Sequence, residues 1–118
     1  MASGTDTEDP WTLALLPQFL DLTASRQIGI DIERGNIEAG DDPLAAAQEI
    51  GKIAHKIAGT AASFGFSALG TQSQRVEAIC RHICTLPRPA VDEAVRSGLL
   101  PALDALTCEF DLVFAADL

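Results

Sequence analysis

A chain of 118 residues with 47% hydrophobic side chains is one domain, large enough for its own core and short for an enzyme with a separate cofactor domain. With 17 acidic against 8 basic side chains the formal net charge is −9, which argues against a nucleic-acid partner and fits one presenting positive or apolar surface. No apolar run reaches membrane-spanning length and no charged start leads into an apolar signal segment, so a soluble cytoplasmic protein with no membrane contact is expected.

Residues 1–9, MASGTDTED, are polar and predict a frayed, disordered N-terminus ahead of a helical domain over 10–118. No stretch alternates as a half-buried strand does, and the apolar spacing is helical throughout. Asp9-Pro10 reads as a helix start, with Asp9 as N-cap and Pro10 at the first position. Trp11, Leu13, Leu15, Leu16, Phe19, Leu20 and Leu22 follow, and Pro17 predicts a division into a short first helix and a long second one running to about Ala39. On that second helix Ile30 and Ile37 share a face, which Ile28 and Ile32 are expected to broaden.

Gly40-Asp41-Asp42-Pro43 is the clearest boundary: Gly40 closes one helix, Asp42 caps the next and Pro43 begins it. The third helix is expected to reach about Phe64, with Ala46 or Ala47, Ile50, Ile53, Ala54, Ile57, Ala61 and Phe64 inward. Gly65 closes it, Ser67 is placed as the cap of a fourth helix to about Thr85, and Leu69, Val76, Ile79 or Cys80, and Ile83 form that helix's stripe. A last helical region over 90–116 turns Leu99, Leu103, Leu106, Phe110 and Val113 inward, with a kink or break at Gly98 and Pro101. Together these predict an all-α, up-down antiparallel four-helix bundle with a short additional N-terminal helix. Cys80, Cys84 and Cys108 are read as reduced, buried small hydrophobes; their spacing gives no metal site. No glycine-rich nucleotide loop is present, so neither a kinase activity nor an ATP site is read from the chain.

His55 stands out. At about 100° per residue it lies opposite Ile53 and Ile57 and should face solvent. Its own face is set by Gly51, Lys52, Ala58 and Gly59, with Ala62 a further turn along. A solvent-facing helix normally carries long polar residues there, and a helix-interior glycine costs about 1 kcal/mol relative to alanine. Gly51, Ala58, Gly59 and Ala62 are therefore read as clearance for another molecule's backbone, a docking face around the imidazole. Lys52 shares the histidine's face, while Lys56 lies about 100° round it, at the rim. His82 has no comparable setting and reads as an ordinary surface residue.

The run AHKIAGTAASFGFSAL, from Ala54 to Leu69, resembles the phosphoacceptor motif of histidine phosphotransfer (HPt) domains, in particular the version in chemotaxis histidine kinases. The matching positions are Ala54, His55, Ile57, Gly59, Ala61, Phe64, Gly65, Phe66 and Leu69. The resemblance implies that His55 is transiently phosphorylated on its outward ring nitrogen and exchanges the group with an aspartate of a response-regulator receiver domain or with a histidine kinase. It implies no cofactor on this chain, with Mg²⁺ carried by the receiver, and a carrier role in a phosphorelay for which no second copy is needed, so a monomer is expected. By the same resemblance Glu77 accepts a hydrogen bond from the inner ring nitrogen. The family usually has lysine three residues after the histidine, where this chain has Ala58; Lys52 or Lys56 is then left to meet the phosphoryl group or the receiver. That departure supports the alternative of an adaptor that binds receivers without transferring phosphate. A bundle serving only as a scaffold has nothing in its favour beyond the apolar helices.

Overall fold

The computed structural model describes residues 10–116; the expected frayed N-terminus and the Asp9 cap lie outside them, as does the side chain of Trp11. Five α-helical segments make four rods: α1 (Pro10–Glu38), α2 (Pro43–Ser63), α3 (Ser67–Ile83), and a last rod built from α4 (Arg88–Ala94), a π-helical turn (Val95–Leu99) and α5 (Leu100–Ala116). Among the described residues there is no strand, and the rods form the predicted up-down bundle.

The ends follow local chemistry. Asp42 caps α2, its Oδ1 accepting from the Leu44 amide at 3.0 Å, and Arg88 at the start of α4 reaches the same carboxylate at 3.2 Å. Gly40 and Gly65 take positive φ, 90° and 81°, at the two interhelical turns, where a side chain would be strained. Ser67 is the first residue of α3 rather than its cap; the cap position is Phe66, which makes no side-chain bond.

Two expectations about α1 are corrected. The helix runs unbroken through Pro17, so no separate short N-terminal helix forms. Pro17 is exposed, which leaves the carbonyl freed by its missing N–H open to water instead of stranded in the core. Ile28 and Ile32 do not broaden the buried face; they are 60% and 58% exposed. The buried residues of α1 are Phe19, Thr23, Ile30 and Ile37, a narrow stripe, and Ile28 lies about 200° of helix rotation from Ile30. Phe19 anchors the stripe, stacked on Phe64 and Phe66 with ring centroids 4.5 and 5.2 Å away.

Elsewhere the core follows the predicted stripes. Ile50, Ile57, Leu69, Val76, Ile83, Leu99, Leu103, Leu106 and Phe110 are essentially inaccessible. The expected kink at Gly98 and Pro101 takes the form of the π turn. Pro101 has no N–H for the carbonyl one turn back, and the Leu100 amide bonds to the Val95 carbonyl five residues earlier, so the rod continues with one widened turn.

Candidate functional site

Small residues decide how closely α2 and α3 approach. A Cβ on Gly51 would sit 3.0 Å from Cys80 Cβ, and one on Gly70 would lie 3.8 Å from both the Ala58 carbonyl oxygen and Ala61 Cβ. Ala54 and Ala61 are fully buried, and so is Ser73 on α3. With these small residues along the seam, a residue on the rim of α2 can touch one on the rim of α3 directly.

His55 and Glu77 do so. His55 Nδ1 lies 2.8 Å from Glu77 Oε2, and the imidazole is 73% exposed while the Glu77 side chain is 17% exposed. A carboxylate only accepts, so Nδ1 carries the proton and donates, and the Nε2 lone pair is left free on the opposite side of the ring. Glu77 Oε2 accepts a second hydrogen bond, from Arg81 Nη2 at 2.6 Å. His55, Glu77, Arg81, Lys52 and Lys56 all border an open groove of about 510 Å³ whose floor includes Gly51 and Cys80.

The proposed phosphate-contacting lysines both reach this groove. Lys52 is 72% exposed and pairs loosely with Glu49 at 3.9 Å. Lys56 is exposed, and its backbone carbonyl is held by Arg26 of α1, whose Nη1 donates to it and to Thr60 Oγ1, both at 3.2 Å. Lys52, Lys56 and Arg81 line the groove together with Glu77, and Glu49 stands beside Lys52, so the groove carries a small positive excess on a chain whose net charge is −9.

The four residues read as clearance divide. Gly59 and Ala62 are exposed, and a Cβ on Gly59 would meet nothing within 4 Å, so packing gives no reason for glycine there. Gly51 and Ala58 belong to the helix seam. Ala58 is only 9% exposed beside Gly70, and Gly51 is small because Cys80 stands against it. Helical spacing puts both beside His55, but α3 occupies that flank.

The thiols also divide. Cys80 is buried, and burial, with smaller contributions from Cys84 and Glu77, pushes its pKa up from 9.0 to about 12. Cys84 and Cys108 are exposed, contrary to the expectation that all three are buried. Among the described residues no three His, Cys, Asp or Glu side chains are arranged to hold a metal, and no helix is long and apolar enough to cross a membrane. His82 lies outside the groove, and its backbone carbonyl accepts from Thr85 Oγ1 at 2.7 Å.

Arg81 and Arg26 were missed by sequence reasoning. Arg81 had a signal, the Glu-to-Arg spacing of four along one helix. Arg26 had none, because it meets α2 across 30 residues of chain.

A family model described as Hpt domain matches residues 15–107. No curated protein and no solved structure gives a significant match.

Proposed function

The chain belongs to the Hpt domain family, whose members carry phosphoryl groups in two-component signalling, and on that premise we propose that it is a phosphorelay carrier whose acceptor is His55 Nε2. The observation that carries this reading is the 2.8 Å pairing of Nδ1 with Glu77 on a ring that is otherwise exposed. It gives the nucleophile one tautomer and one direction of attack.

In the proposed reaction a receiver domain docks over the groove. The Nε2 lone pair attacks the phosphorus of the receiver's aspartyl phosphate, the P–N bond forms, and the O–P bond breaks to release the aspartate carboxylate. The ring keeps its Nδ1 proton and gains positive charge, which Glu77 stabilises. The receiver supplies Mg²⁺ and most of the charge neutralisation, while Lys52 and Lys56 contribute the cations that a lysine at position 58 supplies in most of the family. Gly59 and Ala62 leave room for the partner. A histidine kinase loads or unloads the same nitrogen. The protein acts as a cytoplasmic monomer with no ATP site of its own.

The test is incubation with a phosphorylated receiver domain or an active histidine kinase, followed by intact-mass measurement. The expected result is an acid-labile mass increase of one phosphoryl group that is absent in His55→Gln. Tight receiver binding with no labelling of the native chain by any donor would replace the relay with a non-transferring adaptor, the reading that Ala58 favours.

A further inference from the structure

The groove holds one charged residue that the proposed transfer does not use. Arg81 Nη2 lies 2.6 Å from Glu77 Oε2, and that same oxygen accepts the His55 Nδ1–H at 2.8 Å. Glu77 is the least exposed of the three, at 17% against 73% for His55 and 76% for Arg81. A half-buried carboxylate has little room to reorient, so the partners of its oxygens decide where it points. Among the described residues Arg81 is the one full cation within ion-pair distance of Glu77. A guanidinium keeps its charge at every working pH and offers a fork that holds a carboxylate in one orientation. Glu77 and Arg81 are also one helical turn apart, so the pair is preset by α3 and does not depend on a partner.

We propose that Arg81 is a positioning residue for the phosphoacceptor: it holds the Glu77 carboxylate with Oε2 aimed at His55 Nδ1, so that the Nε2 lone pair stays outward. This rests on the reading of His55 as the acceptor. Without Arg81, Glu77 is free to turn toward solvent and leave Nδ1 without its acceptor. With no carboxylate oxygen at Nδ1, the ring is free to carry its hydrogen on Nε2 instead, where no lone pair is left for attack. Arg81 acts through Glu77 and touches neither phosphorus nor the receiver's aspartate.

The experiment uses the full chain labelled with ¹⁵N on its histidine rings, and reads the His55 tautomer from the two ring-nitrogen shifts in the native protein, Arg81→Ala, Arg81→Lys and Glu77→Ala. Arg81→Ala should raise the share of the Nε2–H tautomer about two- to fivefold, the size an exposed ion pair supports. It should slow phosphoryl uptake from a phosphorylated receiver by a similar factor, with Arg81→Lys restoring most of both. The proposal is overturned if Arg81→Ala leaves the ring shifts native, whether or not transfer slows; slower transfer with native shifts makes Arg81 a partner contact instead. It is overturned equally if Glu77→Ala, which removes the accepting oxygen, leaves the shifts native. The tautomer is read without any phosphodonor, so failure of every donor to label His55 removes the relay reading while the shifts still decide the role of Arg81.

Discussion

Helix α2 meets α3 through Gly51, Ala58 and Ala61, set against Cys80 and Gly70. It meets α1 through larger groups: Ile53 under Gly29, Phe64 on Phe19, and the Lys56 carbonyl on Arg26. In the first contact the backbones themselves are close, so any shift of either helix passes directly into the His55–Glu77 distance. In the second, side chains stand between the helices and absorb a shift by changing rotamer. The two contacts therefore divide the work. The seam with α3 sets the geometry of the acceptor, and the stripe on α1 supplies apolar burial and leaves Ile28 and Ile32 in solvent.

Phe19→Ala should show the largest effect on stability. The ring is 4% exposed and stacked on two others, and its removal should cost about 3–5 kcal/mol in denaturant unfolding. The folded fraction should keep the native His55 ring shifts. Altered shifts in protein that is still folded would mean that α1 also sets the site, and the division would fail.

On the seam side, Cys80 gives a pH test. Its thiol holds its proton in the folded chain up to about 12, against an ordinary value of 9.0. Between those values the folded state binds more protons than the unfolded one, so stability is full below about 9 and falls as pH rises toward 12. At neutral pH iodoacetamide should label Cys84 and Cys108 readily and Cys80 only on unfolding; equal rates for all three would open the seam. Gly51→Val tests the same contact sterically. A Cβ 3.0 Å from Cys80 Cβ must push α3 away, at about 1–3 kcal/mol, and here the His55 ring shifts should move with the stability.

How much of this was legible in the sequence follows the same division. The helices, their glycine and Asp42 boundaries and the inward residues of α2, α3 and α5 were readable, because periodicity and capping are local. The pairing of His55 with Glu77 was reached only through resemblance, since no local rule places two residues on different helices side by side. The burial of Ala58 and the reason for Gly51 were not readable, because an alanine or glycine beside a histidine looks the same whether a partner or α3 fills the space. Pro17 was overread: its penalty depends on whether the freed carbonyl meets water, which is a property of the fold.

Gly59 separates fold from function on the face that neither seam nor stripe uses. With nothing within 4 Å of its missing Cβ, Gly59→Ala should stabilise the helix by about 0.5–1 kcal/mol. If the residue is clearance for a docked receiver, phosphoryl transfer should slow in the same variant. A more stable protein with the native transfer rate removes Gly59 from the docking face.

The smallest effect is expected on the outer side of α1. Ile28→Ser and Ile32→Ser each remove an apolar side chain that is already more than half in water, so each should change stability by no more than about 0.5 kcal/mol. Serine and isoleucine have similar helix propensities, so the backbone contribution is nearly unchanged. A loss several times larger, measured by the same denaturant unfolding as Phe19→Ala, would mean that this face is covered in the folded protein. The stripe on α1 would then be wider than the bundle alone makes it, and the contrast with the α3 seam would shrink from one of kind to one of degree.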